Sequence, residues 1–124
     1  MPRSHPAVRR GVAYLWRTQR PDGSWWGRWG VNHVYGTGAA LPALAAAGED
    51  MRSPAARRAV QFLSEHQNAD GGWGEDIKSY ADPAWIARGE STASQTAWAL
   101  LALNAADPAH PAVDSPRPIH AGSA

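Results

Sequence analysis

Few residues in this chain have the type and spacing to do chemistry. Glu75-Asp76 and Asp82 are the acids close enough to suggest an acid pair. No proton-donor motif surrounds them, and they read as loop charges or helix-end partners. The five histidines show no His-x-x-x-His or Glu-x-x-His spacing and cysteine is absent, so no metal site and no cofactor is expected. What stands out is a Gln-Trp pairing that occurs twice. Gln19 precedes Trp25 and Gln67 precedes Trp73, each within Gln-x-x-Asp-Gly-x-Trp. A Gln amide carries donors and an acceptor, so at a helix end it can bridge free backbone groups of its own helix and a neighbour. A Trp returning six residues later can cover that amide. Gln19, Gly23 and Trp25, with Gln67, Gly71 and Trp73, are therefore expected to form a structural clasp between helices.

The elements that hold these residues follow from an internal repeat with an offset of 48 residues. Pro6-Ala7 falls on Pro54-Ala55, Arg9-Arg10 on Arg57-Arg58, Val12 on Val60 and Leu15 on Leu63. A period in this range indicates stacked supersecondary units. A third copy begins at His110-Pro111-Ala112-Val113, which repeats His5-Pro6-Ala7-Val8. Each unit reads as helix, turn, helix. Val8, Val12, Leu15, Trp16 and Gln19 share one helical face, as do Ala56, Val60 and Leu63. Ser53-Pro54 supplies an N-cap and first helical residue. The Asp-Gly turns end both leading helices. Second helices are predicted over roughly 38–47 and 92–105. Pro42 implies a late start or a kink in the earlier one. No stretch alternates as a strand, so the class is all-α, with repeats over 1–112 and a disordered tail over 113–124.

Composition narrows the function. The chain has 124 residues, a formal net charge of +1 and mixed charge signs, which gives no electrostatic case for nucleic acid. The start, Met1-Pro-Arg-Ser-His-Pro, has no apolar run of the secretory type. The longest weakly polar run, 38–48, is too short to span a bilayer. Seven tryptophans against one phenylalanine need a separate explanation.

Arg10-Gly11-Val12-Ala13-Tyr14-Leu15 with Gln19, Gly23 and Trp25 resembles the QW repeat of triterpene cyclases. Arg58-Ala59-Val60-Gln61-Phe62-Leu63 with Gln67, Gly71 and Trp73 resembles it again. The run from Asp22 to Gly36 is similar to the terpene-cyclase signature, with His33 where that family has Phe or Tyr. Gln67 to Asp76 and Ser91 to Leu100 resemble the bacterial squalene–hopene cyclase branch. The resemblance implies part of an (α/α)6-type toroid that folds squalene in an aromatic-lined cavity. In that family an acid protonates the terminal alkene, ring closures pass a carbocation along the chain, and water addition or proton loss ends the reaction. Aromatic faces suit this chemistry because their quadrupole stabilises a cation without acting as a nucleophile.

Within the signature, Trp29 corresponds to a cavity tryptophan that binds substrate or cation. Tyr35 corresponds to a tyrosine whose hydroxyl joins the hydrogen-bond network of the catalytic acid. The Asp-x-Asp-Asp acid run itself does not occur in this sequence. The chain alone is therefore expected to be an inactive fragment of a cyclase acting on a squalene-like polyprene. The resemblance also implies peripheral membrane association on the cytoplasmic side. Two other readings remain. One is a stand-alone helical-repeat binding module with exposed tryptophans, whose open apolar faces imply self-association. The other is a fragment of another terpene cyclase; a prenyltransferase subunit would need zinc ligands, against which the lack of cysteine argues.

Overall fold

The computed structural model describes residues 5–27 and 32–114. The expected cavity residue Trp29 and residues 115–124 of the expected tail lie outside the described residues. Among the described residues all regular structure is helical: α1 (Pro6–Thr18), α2 (His33–Ala46), α3 (Pro54–Glu65), α4 (Ala93–Ala106) and the short α5 (Pro111–Asp114). Two 3₁₀ turns, Ile77–Tyr80 and Pro83–Trp85, lie between α3 and α4. No described helix is long and apolar enough to cross a membrane.

The leading helices α1 and α3 begin alike, with a cap side chain and a proline in the first turn. Nδ1 of His5 accepts the Ala7 amide, and Oγ of Ser53 accepts the Ala56 amide. At α5 the His110 Nδ1 accepts the Ala112 amide, repeating the His5 cap at the start of the third copy. The second helices, α2 and α4, pack side by side, with α1 against α2 and α3 reaching both. Val34, Leu41, Leu44, Phe62, Leu63, Trp73 and Leu103 form the sealed centre. Each such side chain contributes about 1.5–3 kcal/mol by leaving water. A methyl on Gly38 would stand 2.7 Å from the Trp98 carbonyl oxygen, so glycine there sets the spacing of α2 and α4.

The predicted start of α2 needs correction. The helix begins at His33, one full turn before Gly38, and runs through Pro42. Gly36 and Gly38 suggest a loop in sequence but serve close packing in the helix. A Cβ on Gly36 would overlap the Trp25 carbonyl.

The two turns are built from the same bonds. Gly23 and Gly71 take positive φ of 94° and 89°, where a side chain is strained. Arg20 N–H donates to Ser24 O at 2.8 Å, and Asn68 N–H to Gly72 O at 2.8 Å. Asp22 accepts the Ser24 amide and Asp70 the Gly72 amide, both at 2.9 Å. Beyond the turns the units diverge in length. Trp25 N–H donates to Thr37 Oγ1 on α2, 12 residues on, while Trp73 N–H donates to Thr96 Oγ1 on α4, 23 residues on. The second unit thus carries eleven extra residues, and the two 3₁₀ turns lie in that insertion.

Candidate functional site

The Gln and Trp side chains of the repeat sit where a leading helix ends. Gln19 Nε2 donates to Gly23 O at 3.0 Å and to Ala55 O, in the first turn of α3, at 2.8 Å. Gln67 Nε2 donates to Gly71 O at 2.8 Å. The indole N–H of Trp25 donates to Leu15 O at 2.7 Å, and that of Trp73 to Leu63 O at 2.8 Å. Gln therefore ties the turn, and in the first unit also joins the next unit. Trp satisfies a carbonyl in the last turn of its own leading helix, a role beyond that of a cover over the amide.

Tyr35 lies in the first turn of α2, half-buried, with its ring edge-to-face on Trp98 at 4.8 Å between centroids. It borders a groove of about 400 Å³ whose aromatic walls include Tyr14, Trp25 and Trp26. Trp26 stands about half exposed and meets Tyr80 edge-to-face at 6.2 Å. The structure thus brings Tyr35 to a groove bordered by rings from α1, the first turn and α2. Gln19 and Gln67 lie at the helix ends.

A polar cluster stands behind Tyr35. Glu75 Oε1 accepts the amides of His33 at 2.7 Å and Val34 at 2.9 Å, while Oε2 pairs with His33 Nδ1 at 2.9 Å. The two side chains are 3% and 0% exposed, so the pair is shielded from solvent. Burial alone would raise the Glu75 carboxyl. The His33 ring and the Val34 amide donate to it, and with the nearby Ala87 amide and Ser79 hydroxyl they hold it below its ordinary value of 4.5. The ionised carboxylate fixes Nδ1 of His33 as the donor. His33 Nε2 is buried with no hydrogen-bond partner among the described residues. Asn32 extends the cluster by donating from Nδ2 to Ser79 Oγ at 3.2 Å and accepting the Gly27 amide at 3.3 Å.

Glu75 is thus a helix-end partner, as one of the two sequence readings had it. Asp76 and Asp82 cap the two 3₁₀ turns by accepting the Lys78 and Ala84 amides at 2.9 and 3.0 Å. Trp98 and Ser79 were not singled out from sequence. Ser79 stands three residues after the Asp76 cap, which gives no sign of a bond to the start of a helix in the other unit. No group of three or more His, Cys, Asp or Glu among the described residues could hold a metal ion.

The family profile of the squalene-hopene cyclase C-terminal domain matches residues 1–116. The chain belongs to the squalene-hopene cyclase family. Its helix pairs are accordingly a segment of an α/α toroid. It is 68% identical over 96 residues to the squalene–hopene cyclase of Alicyclobacillus acidocaldarius, covering 77% of this chain and 15% of that protein. It is 56% identical over 109 residues to that of Bradyrhizobium diazoefficiens, covering 86% and 16%. It is 55% identical over 109 residues to a probable squalene–hopene cyclase of Sinorhizobium fredii, covering 86% and 17%. The chain therefore spans about a sixth of the length of these squalene-hopene cyclase relatives.

Proposed function

We propose that this chain forms part of the wall of a cyclase that folds squalene, or a squalene-like polyprene, and drives its cationic cyclisation to hopanoid triterpenes. The observation that carries the reading is the position of Tyr35, edge-on to Trp98 and at the rim of an aromatic-walled groove, in a family whose relatives are squalene–hopene cyclases. Tyr35 offers a hydroxyl to the hydrogen-bond network of the initiating acid. Trp29, whose role rests on the signature motif, offers its ring face to substrate or cation. A desolvated cation–ring contact is worth ~2 kcal/mol. The chain's own part in the reaction is to shape and orient, since no Asp-x-Asp-Asp run occurs in it.

The test is a chimera in which this segment replaces the matched residues of the Alicyclobacillus acidocaldarius relative. Products from squalene are followed by gas chromatography and mass spectrometry. The chimera should cyclise squalene. Trp29→Ala should lower turnover roughly 30-fold or redirect products. Tyr35→Phe should lower it about tenfold, the equivalent of one hydrogen bond. A chimera that folds yet releases only squalene would sink the reading, as would unchanged kinetics and products in both variants.

Exposed Tyr14, Trp26 and Leu101 also support self-association of the chain by itself. Sedimentation velocity should show mass rising with concentration, and less so in Leu101→Glu. The family resemblance further suggests peripheral membrane association, which co-sedimentation of the chimera with phospholipid vesicles would reveal.

A further inference from the structure

Three of the four long helices cap their own first turn: α1 with His5, α3 with Ser53 and α4 with Thr92. Helix α2 does not, for Asn32 makes no cap hydrogen bond. The repeat shows what is missing. Thr37 and Thr96 receive equivalent Trp amides, and four residues before them stand His33 and Thr92. Thr92 caps α4 by accepting the Gln95 amide. His33 has no hydroxyl to do the same, and the α2 amides turn instead to Glu75, more than 40 residues away in the other unit.

Nothing in the repeat itself calls for a carboxylate at that place. The residue 48 positions before Glu75 is Gly27. The eleven-residue insertion places the Ser79 hydroxyl and the Ala87 amide near enough to favour the ionised carboxylate, and the same Ser79 hydroxyl accepts from Asn32 Nδ2 at the start of α2. Ala87 is the one described non-glycine residue at positive φ, 56°, and it is buried. Backbone strain of this kind persists only where surrounding contacts hold it. Here one such contact is made by its neighbour Arg88, whose carbonyl accepts the Asp76 amide at 2.7 Å, next to Glu75.

We propose that Glu75 is a positioning residue for Tyr35. Its carboxylate anchors the first turn of α2, with His33 as its side-chain partner, and so fixes the Tyr35 ring against Trp98 and at the rim of the groove. The insertion in the second unit is a brace for a helix in the first. The catalytic part of this statement rests on the function proposed for Tyr35; the anchoring part does not.

The experiment has two readouts. In the whole chain, nuclear magnetic resonance reads the ring-current shifts produced by the Tyr35–Trp98 contact. Glu75→Gln should collapse those shifts and speed exchange of the His33 and Val34 amides, while the Trp73 indole signal stays in place. If that variant fails to fold, Glu75→Asp serves instead: it keeps the charge but is one methylene too short to reach both amides, and should show the same change. In the chimeric enzyme, Glu75→Gln should lower kcat by up to about tenfold, the loss set by Tyr35→Phe, with little change in KM. Added to Tyr35→Phe it should cause no further loss. Unmoved ring-current shifts, or losses that multiply in the double variant, would overturn the proposal. Collapsed shifts with full activity in Tyr35→Phe would instead overturn the function given to Tyr35 and leave the anchoring standing.

Discussion

Replacing Thr96 by valine removes one oxygen at nearly constant shape. Thr96 is 3% exposed and Trp73 fully buried, so water cannot replace the lost group. Oγ1 of Thr96 accepts the Trp73 amide at 3.0 Å, and its own hydroxyl reaches the Trp73 carbonyl at 3.4 Å. The longer contact matters little, because that carbonyl also accepts the Thr92 amide at 3.0 Å. The Trp73 amide loses its acceptor and is left bare, at a cost of ~1–3 kcal/mol. The extra methyl of valine returns at most ~0.8 kcal/mol, and helix propensity hardly changes. Thr96→Val should therefore destabilise the chain by ~1–2 kcal/mol. Thr37→Val should do the same, since Thr37 Oγ1 accepts the Trp25 amide at 3.1 Å in an equally buried place. Thr96→Ser keeps the oxygen and should lose only the methyl contribution, ~0.8 kcal/mol. Urea unfolding at low protein concentration, followed by tryptophan fluorescence, gives these differences as midpoint shifts at constant slope. Valine variants as stable as the parent, or a serine variant as unstable as the valine one, would refute the assignment of the hydroxyl as the bearer of the link.

Gln19→Ala should cost about 1 kcal/mol more than Gln67→Ala, because Gln19 also holds Ala55 of the next unit; the same urea series measures it. Gly38→Ala should lower stability by ~1–3 kcal/mol, read as a fall in melting temperature by circular dichroism, since the new methyl meets the Trp98 backbone. The Glu75 carboxyl is held below its ordinary value of 4.5 in the fold, so its stabilising contribution is present above that pH and is lost as pH falls through the folded value. The urea midpoint should accordingly drop between pH 6 and pH 3 more steeply in the parent than in Glu75→Gln, with equal slopes counting against the link.

The all-α class and the repeat were legible because their causes are local. A positive-φ glycine, an Asp that caps its own turn and a Trp ten residues from its carbonyl partner all leave a fixed spacing in the sequence. The start of α2 was not legible, and the reason is physical. Gly36 and Gly38 disfavour a helix on propensity alone, and the group that stabilises its first turn is Glu75, about 40 residues downstream. The same distance hid the link between Glu75 and Tyr35. Spacing within one unit cannot reveal a bond made between two, although the mismatch of Glu75 with Gly27 was a visible clue.

The eleven additional residues between Trp73 and Thr96 leave the bond between those two residues as short as its counterpart in the first unit. Thread length may vary when both rivets are fixed. Within the stretch between them, Glu75 and Ser79 are tied to the start of α2, while the turn Pro83–Trp85 can vary in length without shifting the frame that carries it. In a protein of this design, the length of one loop can change while the stacking of the helices is inherited unchanged.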